Sequence, residues 1–376
     1  MNFIKKLFKS KLAEHIEPLI KEALEELKQL DLVKTNNSIQ IKNITDIQYK
    51  ENILSFTFKV PFAAKSLWPS FEQLLSNKLL ETDSIDQVKI NFETHINAQM
   101  ANNSNQSIKG VKNIIAIASG KGGVGKSTIC VNLALALQQE GAVVAILDAD
   151  IYGPSIPTML GVNNKPDTLD GKSMEPIKAH GLQLMSIGFL IDPNEPMIWR
   201  GPMVTQTLTQ LLQETRWQDI DYLLIDLPPG TGDVQLTLSQ KIPVTGAIII
   251  TTPQEVALID ARKGLKMFEK VNIPILGIVE NMAAYICSKC GHEESIFGEE
   301  GGKTLAKEAD TELLAQLPLI PKLRQSMDAG NPIVVSDPMS DIANNYKQIA
   351  QKVSASMATQ RKSYANVFPK ITIENS

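Results

Sequence analysis

Short unbroken apolar runs alternate along this chain with segments whose apolar residues recur at helical spacing, and that rhythm predicts its architecture. Asn113–Ala118, Ala142–Leu147, Leu182–Ile187, Leu223–Asp226, Ala247–Thr251 and Ile275–Val279 have the length and apolarity of buried strands. Between them, Ser127–Gln139, Gln206–Glu214, Val234–Gln240 and Glu255–Lys270 have helical character, and Asp341–Met357 closes the stretch as a helix. Strands apolar throughout are buried on both faces, so residues 113–357 are expected to form an α/β domain: a mostly parallel sheet with helices on both faces.

The N-terminal quarter follows a different pattern. Leu12, Ile16, Leu19, Ile20, Ala23 and Leu27 line one face of a helix over 12–29. Ser38–Ile41, Ile53–Val60 and Gln87–Phe92 are predicted strands and Ser70–Leu80 a predicted helix. Residues 1–96 thus make a small α+β domain. Residues 97–112, with Asn102, Asn103, Ser104, Asn105, Gln106 and Ser107, read as a polar linker, and 358–376 as a loose tail.

Composition narrows the functional classes. A chain of 376 residues that is 43% hydrophobic can build one large core and one small one. Its net charge of -4 leaves no excess of cations to neutralise a nucleic-acid backbone. Three cysteines exclude a disulfide framework and suit a reducing compartment. No apolar stretch reaches the roughly 20 residues that span a bilayer, and no secretory leader is recognisable at the start, so the expected location is the cytoplasm. The basic, amphipathic segment Met1–Leu12 admits a membrane-surface helix. Its shortness and the lack of a second membrane signal favour a helix end with solvated lysines.

The chemistry concentrates after the first strand of the large domain. Gly120-Lys121-Gly122-Gly123-Val124-Gly125-Lys126-Ser127-Thr128 lies between Asn113–Ala118 and the helix from Ser127, the setting of a phosphate-binding loop. Glycines let the backbone turn its N–H groups onto phosphates, and the helix N-terminus adds partial positive charge. In such a loop Lys126 reaches the β- and γ-phosphates of ATP, and the Ser127 hydroxyl ligates Mg²⁺. Two acidic segments, Asp148-Ala149-Asp150 and Asp226-Leu227-Pro228-Pro229-Gly230-Thr231-Gly232-Asp233, close further strands and so fall at the same carboxyl edge. Asp226 fits a magnesium-holding role, Asp148 or Asp150 the orientation of the attacking water, and Pro228–Gly232 a loop that senses the γ-phosphate.

Lys121 narrows the class, because ordinary phosphate loops do not require a lysine directly after the first glycine. The segment resembles the deviant-Walker ATPases that include the Mrp/ApbC proteins, MinD, ParA and the nitrogenase iron protein. The resemblance implies that Lys121 reaches across a homodimer to the partner's phosphates, that Asp150 holds the water and Asp148 belongs to the metal shell, and that Asn281 recognises adenine.

Cys287-Ser288-Lys289-Cys290 separates the branches of that superfamily. Two thiols at this spacing aim at one soft metal centre and supply half a ligand set. With Glu280-Asn281-Met282 ahead of it, the pair resembles that of the Mrp/ApbC iron-sulfur carriers, a likeness covering about residues 108–340. It implies a [4Fe-4S] cluster held between two chains, with apo iron-sulfur proteins and an assembly scaffold as partners. Other readings are a zinc knuckle with His292 as a further ligand, a redox Cys-x-x-Cys, a MinD- or ParA-like positioning ATPase, and a non-catalytic zinc-stabilised scaffold. Residues 1–96 resemble the family's accessory domain in position and element order, but the thiol often found there is missing from Lys59–Ala64.

Overall fold

The computed structural model describes residues 16–34, 38–101, 107–190 and 201–360. The basic segment Met1–Leu12, the middle of the linker and the tail beyond 360 lie outside them. The chain forms two compact units, one of residues up to Asn97 together with Ser354–Thr359, the other of Ala98–Val353.

The first unit is a three-stranded sheet. β1 (Ile44–Lys50) pairs antiparallel with β2 (Ile53–Val60), and β2 pairs parallel with β3 (Gln87–Thr94) through the crossover helix Trp68–Leu80. Phe58 anchors the core, with ring centroids 6.2 Å from Phe71 and 5.8 Å from Phe92. The strand expected at Ser38–Ile41 is not there: Gln40 donates its N–H to Asn43 Oδ1 at 2.8 Å, capping a short 3₁₀ turn over Ile41–Asn43. The strand begins at Ile44 instead, and its alternation is broken by a bulge between Thr45 and Gln48 with Asp46 at φ +55°.

The second unit carries a nine-stranded sheet of β4 (Val111–Ser119), β5 (Val144–Asp148), β6 (Ile177–Ala179), β7 (Leu182–Ser186), β8 (Ile220–Asp226), β9 (Gly246–Thr251), β10 (Ile275–Ile286), β11 (Glu293–Glu294) and β12 (Leu313–Leu319). Its order is β11-β10-β9-β4-β8-β5-β7-β6, with β12 also paired to β10. Pairing is parallel except at the two-stranded edges β6–β7 and β10–β11. Every residue of β5, β8 and β9 is buried, which is why these segments are continuous apolar runs. The helices Gly201–Glu214, Asp233–Lys241, Glu255–Lys270 and Asp341–Ala358 fall on the segments expected to be helical.

Register brings the carboxyl edge together. Asp226 lies opposite Ile117 on one side and Asp148 on the other, so two carboxylates end neighbouring strands beside the strand that feeds the glycine loop. β10 continues past the expected end at Val279: Glu280 and Asn281 interrupt its apolar run and Met282 takes a φ of +57°, yet pairing resumes at Tyr285.

Among the described residues, no helix is long and apolar enough to cross a membrane. One buried group works against stability. The Tyr346 hydroxyl is inaccessible and has no hydrogen-bond partner among the described residues, and burial holds this phenol above its usual range. Tyr346→Phe is expected to raise stability by about 1 kcal/mol, the penalty of an unsatisfied buried polar atom, measured as a higher urea midpoint at unchanged slope.

Candidate functional site

The glycine loop leaves β4 and enters the helix Lys126–Gln139 through Gly125, whose φ of +85° suits only a residue without a side chain. A Cβ there would also lie 2.3 Å from the Asn281 amide nitrogen. Ser119, Lys121 to Thr128, Asp150, Met159 and Pro229 line a cleft of about 200 Å³ at this point.

A buried network lies beneath it. Lys126 Nζ is 2.5 Å from Asp226 Oδ1 and 3.9 Å from Asp150 Oδ2, and the Ser127 hydroxyl donates to Asp226 Oδ2 at 2.5 Å. The Lys126 side chain is 6% exposed and that of Asp226 is wholly buried. The Pro228–Gly232 loop is tied back by the Gly230 N–H on Ser119 O at 3.0 Å and by the Gln235 amide on Pro228 O.

Asp148 and Asp150 separate into different environments. Asp148 is fully buried and outside the cleft lining: Oδ1 accepts the Asp150 N–H at 3.2 Å, and Oδ2 accepts the Ile156 N–H at 3.3 Å and the Ser186 hydroxyl at 3.1 Å. Burial, with the neighbouring Asp226 charge, pushes its carboxyl up to about 7. Asp148 thus braces the loop that carries Asp150. Asp150 does line the cleft, and burial raises its carboxyl too, opposed by Lys126.

Two further residues take contacts their sequence context did not announce. The Asn281 amide donates to Val124 O at 2.8 Å, so this side chain supports the glycine loop. Lys121 Nζ lies 3.2 Å from Gln254 Oε1. Ser186, Gln254 and Glu280 were all missed as site residues. The available signal for Ser186 was its place at the end of β7, in register with Asp148.

Cys287 and Cys290 stand on the hairpin that joins β10 to β11, at the same carboxyl edge. The Cys287 N–H donates to His292 O and its carbonyl accepts the Gly291 N–H, both at 2.9 Å, which closes a tight turn around the sulfurs. The Lys289 and Cys290 N–H groups point at the Cys287 sulfur and lower its thiol from the usual range. Among the described residues, no group of three or more His, Cys, Asp or Glu side chains is placed to hold a metal. Cys130 is buried in the helix after the loop, and its thiol is raised by desolvation, as befits an apolar packing residue.

A strand, a glycine loop with its lysine and serine, and a carboxylate ending the next parallel strand define a P-loop NTPase. Residues 110–354 match the ParA family in its NUBPL iron-transfer P-loop NTPase form, and the chain belongs to that family. It is 50% identical over 323 residues to the iron-sulfur cluster carrier protein of Haemophilus influenzae, covering 86% of this chain and 87% of that protein. It is 48% identical over 248 residues to the mouse iron-sulfur cluster transfer protein NUBPL, covering 65% of this chain and 78% of that one. Among solved structures it is similar to a nucleotide-binding protein from Archaeoglobus fulgidus in complex with ADP, with a TM-score of 0.54 and 37% identity over 62% of this chain and 91% of that chain.

Proposed function

We propose that this protein is a cytoplasmic ATP hydrolase that carries an iron-sulfur cluster between two copies of itself and hands it to apoproteins. The observation that carries this reading is the thiol pair: two sulfurs on a turn shaped for a soft metal, at the same carboxyl edge of the sheet as the glycine loop, with no third ligand among the described residues. A two-fold axis through such a hairpin supplies four thiolates, the set a [4Fe-4S] cargo takes. Relatives named as cluster carriers at about half identity support the same cargo.

The nucleotide half follows from the cleft. Its lining fits a magnesium triphosphate: backbone N–H groups of the loop, Lys126 and the Ser127 hydroxyl, with the Asp226 carboxylate held beneath them on Lys126 and Ser127. Bound there, magnesium offsets phosphate charge, with Ser127 and Asp226 as its protein side. Lys126 neutralises the phosphates, and Asp150, within the cleft and near Lys126, orients the water. Lys121 starts on Gln254 and crosses to the partner's phosphates when two chains meet face to face.

The test is anaerobic reconstitution with iron and sulfide of the wild type and of Cys287→Ala/Cys290→Ala. The wild type is expected to take up about four iron atoms per pair of chains, with broad visible absorption, and the double variant to stay colourless and iron-free. Equal iron and absorption in the double variant would refute the ligand assignment. A colourless wild type carrying zinc after isolation without air, with no turnover, would favour the scaffold reading.

A further inference from the structure

β10 runs past the glycine loop on its way to the thiol hairpin, and two consecutive residues on it hold different things. Asn281 donates to Val124 O at 2.8 Å, inside the glycine loop. Glu280, wholly buried, turns the other way, as adjacent strand residues do. One of its oxygens accepts the Gly302 N–H, and the other accepts the Gln316 side-chain amide at 2.6 Å.

Gly302 lies in the first turn of the helix Gly301–Glu308, where the chain returns from the hairpin. A Cβ on Gly302 would lie 2.8 Å from the Glu280 Cβ, so the return limb is seated directly on this carboxylate. The stretch from the end of β10 at Ile286 to Gly302, both cysteines included, leaves the parallel sheet and is seated back on it at that contact.

The same pairing of neighbours occurs a second time. A Cβ on Gly301 would lie 2.8 Å from both Pro253 O and the Leu258 side chain, and Gln254, next to Pro253, holds Lys121. At two places, then, adjacent residues join the glycine loop on one side to the base of the thiol excursion on the other.

We propose that Glu280 is a positioning residue that couples the glycine loop to the thiol pair within a single chain. A nucleotide that reseats Val124 and Lys121 displaces Asn281 and Gln254, and the Glu280–Gly302 clamp passes that displacement to the limb carrying Cys287 and Cys290. This rests on the cluster-carrying reading for its purpose, but it can be tested without a cluster.

The experiment follows alkylation of thiols in the reduced, metal-free full chain, with and without Mg-ADP or Mg-ATP, alongside hydrogen exchange of residues 287–300. Cys130 is buried, so labelling reports on the pair. Nucleotide is expected to change the wild-type labelling rate by about fivefold or more. Glu280→Ala should label fast in both states and lose the nucleotide response. Glu280→Gln keeps an acceptor for Gly302 and should keep the response. Gln316→Ala, at an exposed position on β12 that folding tolerates, should label faster than wild type and respond less. The proposal is overturned if nucleotide binds by calorimetry yet leaves wild-type labelling and exchange unchanged, or if Gln316→Ala, or a folded Glu280→Ala, responds as wild type does. Iron uptake by the wild type decides the cluster reading separately.

Discussion

Lys126→Ala is expected to slow nucleotide hydrolysis on the order of 10²–10³-fold and to destabilise the nucleotide-free protein by about 3–5 kcal/mol. The first effect follows from removing the cation that meets charge developing on the phosphates. The second follows from what stays behind: Asp226, wholly buried, in register with the equally buried Asp148 and satisfied only by the Ser127 hydroxyl. Removing one partner of a buried pair leaves an uncompensated charge, a much larger cost than losing a surface ion pair. Lys126→Arg separates the two effects, since it keeps the charge but not the compact point geometry of an ammonium. It should recover more of the stability than of the rate. Phosphate release and urea melts measure these quantities, and turnover within tenfold of wild type in the alanine variant would remove Lys126 from the reaction.

In metal-free buffer, Asp148 should make the protein less stable as pH rises from about 4 to about 7. Its carboxyl moves from 3.8 to about 7 on folding because burial and the Asp226 charge disfavour ionisation. Across that window the native state holds a proton that the unfolded state has released, so stability falls with rising pH and levels off above the folded value. The span corresponds to up to about 4 kcal/mol. Asp150, also raised by burial, acts in the same direction. Asp148→Asn removes the titration but places an amide among the N–H and hydroxyl donors around Oδ1 and Oδ2, a roughly constant loss. The informative comparison is therefore the pH slope of urea-melt stability. It should be flatter in the variant by most of that amount, and parallel curves would show that Asp148 is already ionised at the low end.

Much of this was legible from residue order because the relevant interactions are local or edge-bound. The continuous runs that became β4, β5, β8 and β9 are buried on both faces, and burial of that kind leaves an unambiguous apolar signature. The strand-glycine-helix setting of the loop could be read for the same reason. β12 escaped because its two buried residues, Leu314 and Leu317, lie three apart and break a strand's alternation, and β11 because two exposed glutamates carry no pattern. The contacts of Asp148 and Asn281 could not be read from residue order because each lies with a partner far away in sequence, Ser186 and Val124. Spacing places a carboxylate at a sheet edge, but packing decides whether it faces the cleft or the core.

The cysteines sit on the turn ahead of a two-residue edge strand, β11, which is wholly exposed, while the weight of the apolar packing lies in the central strands. A lineage can therefore rewrite what this appendage grips, lengthen it or discard it without disturbing the engine beneath. Cargo and motor evolve as separable modules on one scaffold, joined by the few contacts at the appendage's root.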